Sequence, residues 1–290
     1  VGLSSTASVS GGGGLQATNA GGSLSFTLNK GDVQLVNGAV GSDLSGTLVK
    51  ANKPIQIISG MPCTTVPSDK AACDHIEETV FPAETLGQRY MVTQPTGPLG
   101  DVPGHVVRIF GNFDGTTLSY PAGKPAKAPT SIKAGQVVDL GIVKQDFEVV
   151  GDKAFAVMSL EMGGSVVDPN AMIGEQKGDP AQSLATAVEQ YRDKYVFLAP
   201  IDYDVNYVDI VMPIGATLTL DGVTLQATPK PIGGSGFGVA RVKLGPGQGG
   251  AHVLLSSAPV GIQVTGYGAY TSYYYPGGLN LKVIAPPPVN

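Results

Sequence analysis

Short runs of alternating apolar and polar residues recur along the chain, separated by turns rich in glycine and proline. In the segment 54–59, Ile55 and Ile57 fall on one face of an extended chain, and the segments 156–158 and 261–264 repeat this period of two. Because successive side chains of a β-strand point to opposite faces, such alternation predicts strands with one buried face. The pattern therefore predicts an all-β protein.

One segment departs from this pattern and predicts a short surface helix near residues 180–194. Asp179 can cap the first turn, and Pro180 suits the first helical position. The apolar residues that follow have the spacing of one helical face, and they are Leu184, Ala187, Val188 and Tyr191.

Similar sequences recur at intervals of about 100 residues. The segment TLNKGDVQLV at 27–36 resembles SIKAGQVVDL at 131–140 and VKLGPGQGGAHVL at 242–254, and YMVTQP at 90–95 resembles YVFLAP at 195–200. We interpret this self-similarity as three related β-rich repeats, sandwich-like or blade-like, within one domain. The predicted domain is 1–285, its repeats are 1–89, 90–194 and 195–285, and the proline-rich start of a linker follows at 286–290.

The composition narrows the class of protein further. The 41 glycines and 22 prolines, together with only 14% charged residues, oppose a helical bundle or a coiled coil. The 23 acidic residues outnumber the 18 basic ones, and no long basic cluster occurs, so we expect no nucleic-acid partner. We also expect no membrane-spanning segment, because no run of 18 apolar residues is present.

The two cysteines, Cys63 and Cys73, are separated by nine residues of loop-like sequence, and we predict a disulfide between them. Closing so short a loop stabilises a fold by about 2 to 3 kcal/mol in chain-entropy terms, and it indicates an extracellular or cell-surface protein. Two free buried thiols are the alternative. We expect no zinc site, because the cysteine spacing is not that of a finger and the three histidines are scattered.

A polar cluster follows the second cysteine in the segment CDHIEE, and its members are Asp74, His75, Glu77 and Glu78. Such a cluster could act as a general acid and base or bind a cation. We favour a structural polar cluster or a partner contact instead. Asp202 and Asp204 alternate along a predicted strand and could bridge calcium, but the other residues of a calcium loop are missing. We therefore expect no metal and no cofactor.

The C-terminal segment 266–278 carries the densest group of aromatic residues, namely Tyr267, Tyr270, Tyr273, Tyr274 and Tyr275. Tyrosine combines apolar area with one hydroxyl and is favoured where proteins contact partners. These five residues are therefore candidates for contact with a protein or glycan ligand. Packing in the core or in turns is the alternative, and the absence of tryptophan weakens a carbohydrate-binding platform.

Four motifs occur in one order along the chain: SGTLVKANKPIQIISGMPCTTVP at 45–67, CDHIEE at 73–78, LGQRYMV at 86–92, and PVGIQVTGYGAYTSYYYPGGLNL at 259–281. In these motifs the chain resembles the N-terminal domain family of IgG Fc-binding protein. The resemblance implies an extracellular, non-enzymatic recognition module within a larger protein, with relatives among secreted and surface proteins of bacteria. It implies no catalytic residues.

We therefore expect a secreted or surface-displayed module that works in adhesion or in binding a protein or glycan. The motifs G-x-S-x-G, the P-loop and H-E-x-x-H are missing from the sequence, so the usual hydrolase, NTPase and metalloprotease signatures do not occur. Two alternatives stay open at this point. One is a glycan-active or esterase-like enzyme that uses Asp74, His75 and Glu77, and the other is a self-assembling subunit of a surface filament or layer.

Overall fold

A computed structural model describes residues 1–70 and 72–288 of the chain. Antiparallel strands form almost all of the regular structure, which confirms the predicted all-β class. From Arg89 onward the strands form two β-sandwiches, and a hairpin and a region of isolated bridges precede them. Within the described part of the chain, no helix has the length and apolar character needed to cross a bilayer.

The N-terminal region, residues 1–57, is described throughout and contains isolated bridges in place of strands. Bridges such as Gly2 to Leu48 and Val9 to Thr18 join its turns. A small core lies beneath these turns and consists of Leu3, Ala7, Val9 and Leu24. The region therefore folds by turns around a few apolar side chains.

A hairpin of β1 (Ile58–Thr64) and β2 (Asp74–Thr79) follows. The disulfide between Cys63 and Cys73 joins the ends of its loop, as predicted. Ile76, on the inward face of β2, packs against a small cluster that contains Val66 and Met162. The hairpin is therefore attached to the first sandwich by an apolar contact.

The first sandwich packs two antiparallel sheets of four strands each. Its strands are β3 (Arg89–Val92), β4 (His105–Gly111), β5 (Thr116–Ser119), β6 (Ser131–Ile132), β7 (Val137–Val143), β8 (Phe147–Gly151), β9 (Phe155–Leu160) and β10 (Gln182–Leu184). One sheet has the order β10-β9-β4-β7 and the other β3-β8-β5-β6. Alternate residues of these strands meet in the core, including Val107, Ile109, Phe147 and Phe155.

The second sandwich contains β11 (Arg192–Leu198), β12 (Val205–Pro213), β13 (Leu218–Leu220), β14 (Val223–Thr224), β15 (Lys230–Pro231), β16 (Phe237–Lys243), β17 (Ala251–Gly268) and β18 (Thr271–Pro276). The long strand β17 serves both layers of this sandwich. Its first half pairs with β11 and β13, and its second half pairs with β12 and β18. Tyr195, Ile210, Leu254 and Ile262 are among the residues buried between the layers.

The two sandwiches share one pairing order. In the first sandwich β3 pairs with β8, and β4 pairs with β7 and β9. In the second sandwich β11 pairs in the same way with the first half of β17, and β12 pairs with β16 and the second half of β17. The hydroxyls of Tyr90 and Tyr195 donate to carbonyls at equivalent places, at 2.6 and 2.5 Å. Residues 1–57 lack this arrangement, so a count of three repeats is not confirmed, and the repeat boundaries stay predictions.

The predicted helix near residues 180–194 is wrong. That stretch contains β10, a 3₁₀ turn at Val188–Gln190 and the start of β11, whereas the α-helix in the described chain is α1 (Gly164–Val167). Residues 179–183 are buried at every position, and β10 pairs with β9. Main-chain pairing prevails here because a short helix draws most of its stability from tertiary packing, which this segment obtains as a strand.

The chain after β18 returns toward the hairpin. The N–H groups of Ile284 and Ala285 donate to the carbonyl of Glu84 at 2.7 and 3.0 Å, within the 3₁₀ turn Ala83–Thr85. Residues 286–288 have no regular structure, and residues 289–290 lie outside the described residues. The predicted linker start at 286–290 therefore stays a prediction.

Candidate binding surface

An open groove lies between one edge of β11 and the end of β18. The space within it, including the part that is open to solvent, is about 820 Å³. No charged side chain lines it among the described residues. We call it the tyrosine groove and define it by Val196, Leu198, Pro200, Tyr273, Tyr275 and Pro276, with residues 277–278 completing its wall. Concave apolar surfaces of this kind are where proteins bind ligands and partners.

The position of the two groove tyrosines follows from the alternation of side chains along β18. Tyr273 and Tyr275 pack against the edge of the second core, while Tyr274 points to the opposite face and is buried. A side chain at Gly266, which lies opposite Tyr273, would collide with the ring of Tyr273. Burial raises the pKa of both groove hydroxyls, so both remain protonated at neutral pH.

The hydroxyl of Tyr275 forms hydrogen bonds with both main-chain groups of Leu198 at the edge of β11. It accepts the Leu198 N–H at 3.0 Å and donates to the Leu198 carbonyl at 2.6 Å. Val196 and Leu198 are 67% and 52% exposed, and exposed Val253 lies directly opposite Val196 on the same face. The groove therefore continues into an exposed apolar patch on the outer face of the sheet.

The other three tyrosines of the segment lie elsewhere. Tyr267 and Tyr274 are buried, so a partner on the surface does not reach them. Tyr270 is half-buried in a turn, and its hydroxyl accepts the N–H of Gly174 at 3.2 Å. The predicted contact set therefore separates into two interior residues, one turn residue and two groove residues, and a contact role for the last three stays a prediction.

The polar cluster of β2 divides between the two faces of its strand. Asp74 and Glu78 face inward with Ile76, whereas His75 and Glu77 face solvent, with Nε2 and Oε2 at 3.3 Å. Asp74 accepts the main-chain N–H of His75 and Glu78 accepts that of Thr79. The four side chains therefore do not converge on one point, and the two inward carboxylates bind neighbouring amides.

Glu78 and Asp179 are two carboxyl groups under the hairpin that are less acidic than usual. Burial raises the pKa of Glu78 to about 7, although main-chain hydrogen bonds from Thr79 and Leu184 oppose the shift. Burial, and then the charge of Asp74, raises the pKa of Asp179 to about 6. The space under the hairpin therefore holds carboxyl groups that protonate near neutral pH.

Asp202 and Asp204 do not lie on a strand face, which corrects the prediction for this segment. Both precede β12 in a turn, because Val205 is the first residue to pair with β17. Asp204 forms an ion pair with Lys177 at 3.3 Å. Within residues 1–70 and 72–288, no group of three or more potential metal ligands comes together.

The two sandwiches meet at a buried polar seam that sequence analysis missed. The carboxylate of Asp209 accepts the N–H and the hydroxyl of Thr96 at 2.8 and 2.6 Å. Arg241 pairs with Asp146 at 3.1 Å, and only 4% of the Asp146 side chain is exposed. Each of these bonds joins one sandwich to the other. Asp209 lies within the apolar run VDIVM, and an acidic residue inside a buried strand is the signal that indicates a buried partner.

Glu161 and Tyr267 form the other part of the seam. The hydroxyl of Tyr267 lies 2.8 Å from the Thr96 carbonyl and 2.9 Å from Oε1 of Glu161. The Tyr267 hydroxyl is the donor to both acceptors, and the Thr265 hydroxyl donates to the same Oε1 at 2.6 Å. Burial raises the pKa of Glu161 to about 8, so this carboxyl group is mostly protonated at neutral pH. The seam therefore joins the sandwiches through a neutral carboxyl group.

These features define a class of protein: an all-β chain with a disulfide-closed hairpin, two sandwiches joined by a polar seam, and an exposed apolar groove. The chain belongs to the IgGFc binding protein family, whose family model matches residues 1–266. This membership confirms the resemblance found in the sequence.

Comparison with curated proteins gives no match. Among solved structures, the Streptomyces avermitilis alpha-L-rhamnosidase in complex with L-rhamnose is similar at 12% identity with a TM-score of 0.22. The alignment covers 66% of this chain and 25% of that one, so the chain spans about a quarter of the rhamnosidase. A likeness at this level supports no inference about activity.

Proposed function

We propose that the chain is an extracellular, non-enzymatic recognition module that binds a protein partner through the tyrosine groove. Membership of the IgGFc binding protein family supports a binding role outside the cell. The disulfide between Cys63 and Cys73 fits an oxidising compartment. In a larger secreted or surface protein, such binding produces adhesion.

The observation that carries this proposal is the exposure of contiguous apolar side chains at the groove. Val196 and Leu198 lie beside Tyr273 and Tyr275, and the patch continues to Val253. Keeping such a surface in water costs free energy, and burying it against a partner recovers that cost. Tyrosine side chains at the centre of a patch are typical anchors of protein interfaces.

The placement of the β2 polar cluster supports a non-enzymatic role. The acid and the base of a catalytic site must both reach the same bound substrate. Asp74 and Glu78 lie on the opposite strand face from His75 and Glu77. One bound substrate does not reach both pairs, because the strand lies between them.

The test is a protein and glycan array probed with the wild-type domain, the variant Val196→Asp and the control Val223→Asp. Val196 and Val223 are both 67% exposed, so the two substitutions are matched in exposure and chemistry. We expect the wild-type domain to bind protein spots and Val196→Asp to lose at least about tenfold in affinity, because an unpaired carboxylate would be desolvated in the interface.

We expect Val223→Asp to bind like the wild type. Equal binding by both variants would contradict a role for the groove. Binding to glycan spots alone would contradict a protein partner.

A further inference from the structure

The edge of β11 that faces the groove presents main-chain groups that pair with no other strand in the described part of the chain. In an antiparallel ladder, residues whose N–H and C=O groups face one neighbour alternate with residues that face the other side. Ala199 donates to the Gly250 carbonyl on the β17 side, so Leu198, Val196 and Lys194 face the opposite side. On that side the Tyr275 hydroxyl binds the N–H and C=O groups of Leu198. The N–H and C=O groups of Val196 and Lys194 have no hydrogen-bond partner among the described residues.

The first sandwich shows what closes the equivalent edge. Its strand β3 corresponds to β11, with Tyr90 in the place of Tyr195. The chain that leaves β10 forms an antiparallel bridge between Ala187 and Tyr90, which covers the free edge of β3. The chain that leaves β18 passes β11 through residues 277–278 without such a bridge. The second sandwich therefore has a corresponding segment, residues 277–279, which contacts Tyr195 and Arg192 but leaves the main chain of Lys194 and Val196 unpaired among the described residues.

We propose that an extended segment of the protein partner pairs with β11 as an added strand, hydrogen-bonded to the main chain of Lys194 and Val196. This inference rests on the proposed function and names the form of the ligand. The first sandwich closes its equivalent edge with one extended segment and not with a second sheet, so we assign the same form to the occupant of β11. The occupant is therefore a peptide segment of the partner and not the edge of another copy.

The lining of the groove defines the chemistry of that segment. Its residues are uncharged, so the side chains of the segment that enter the groove are apolar or aromatic. Lys194 lies at one end of the free edge and favours an acidic residue there. The residues whose main-chain groups face β11 need an N–H, which excludes proline at alternate positions.

The experiment uses a peptide display library selected on the wild-type chain. We expect selected peptides to share apolar residues and to carry no proline at alternate positions. Each position of one synthetic selected peptide is then N-methylated in turn. Methylation of N–H groups that face β11 is expected to weaken binding at least tenfold, and methylation of the intervening positions is expected to change it less than about twofold.

Two variants of the protein provide the reciprocal test. Val196→Pro removes the edge N–H at a position where an edge strand tolerates proline, and it is expected to lose the peptide. Val196→Thr keeps the N–H and a similar shape, and it is expected to bind within about threefold of wild type. The N-methyl series uses the unmodified protein, so the test holds even if Val196→Pro folds poorly.

The outcomes separate strand addition from the proposed function. Peptides that require Val196 and Tyr273 side chains but show no alternation with N-methylation overturn strand addition and leave groove binding intact. A library that yields no groove-dependent peptide also overturns strand addition, while the array result decides the proposed function. A wild-type dimer in sedimentation that Val196→Pro converts to a monomer would show that a second copy is the occupant, which overturns the proposal.

Discussion

We expect replacement of Glu161 by glutamine to remove a large part of the pH dependence of stability between about pH 5 and pH 8.5. Burial raises the pKa of Glu161 from its ordinary value of 4.5 to about 8. Hydrogen bonds from Thr265 and Tyr267 oppose this shift, and the charge of Asp209 adds to it. The folded state therefore holds a proton on Glu161 that the unfolded chain releases at lower pH.

The sign and size of the effect follow from this difference. Because the folded pKa is raised, the stabilisation is fully present below pH 4.5 and is lost as the pH rises toward about 8. At about 1.4 kcal/mol per pKa unit, the whole shift corresponds to about 5 kcal/mol of unfolding free energy. The amide of glutamine is neutral at every pH and can still bond to Thr265 and Tyr267.

The assay is urea unfolding of the wild type, Glu161→Gln and the exposed control Glu77→Gln at about pH 5 and pH 8.5 in equal salt. We expect the wild type and the control to lose several kcal/mol at the higher pH, and Glu161→Gln to lose much less. Equal losses in all three proteins would refute the reasoning, because they would show that Glu161 ionises freely in the folded state.

Three further variants test the disulfide and the seam. Replacing Cys63 and Cys73 by serine is expected to lower the unfolding free energy by about 3 kcal/mol and to speed tryptic cleavage of the hairpin loop, and unchanged cleavage would contradict this. Arg241→Met removes the buried partner of Asp146 and leaves only the exposed ammonium of Lys230 at 3.8 Å, so calorimetry should show a loss of about 3 kcal/mol; a loss below about 1 kcal/mol would argue against a buried pair. Tyr267→Phe removes the seam hydroxyl and should cost about 1 to 3 kcal/mol in urea unfolding, whereas wild-type stability would show that the hydroxyl bonds contribute nothing.

Alternation of apolar residues predicted strands well where a sheet partner exists. The segments 156–158 and 261–264 lie in β9 and β17, whereas the segment 54–59 enters β1 only at Ile58. Ile55 is about half exposed, because the N-terminal region offers it no sheet to pack on. A period of two shows that a segment can form a strand, but the presence of a neighbour decides whether it does.

The structural features that the sequence did not predict depend on contacts between residues far apart in the chain. Thr96 and Asp209 meet across the seam although 113 residues separate them, and no local pattern announces that pair. The segment at 180–194 has the spacing of a helix, but β9 captures its start as an edge strand. Similarly, Tyr273 and Tyr274 are neighbours in sequence, but they point to opposite faces of β18. Only the packing of β18 in the fold decides which face lines the groove and which is buried.

The single strand β17 runs through both layers of the second sandwich. A pulling force applied to a peptide on β11 would pass along that one covalent backbone into β12 and, through Asp209, into the first sandwich. The force would then act along the strands, and the main-chain hydrogen bonds between β17 and its neighbours would resist it together. In a sandwich without such a shared strand, only side-chain packing would hold the two sheets together. A strand shared by both layers therefore couples the edge at β11 mechanically to the two sandwiches.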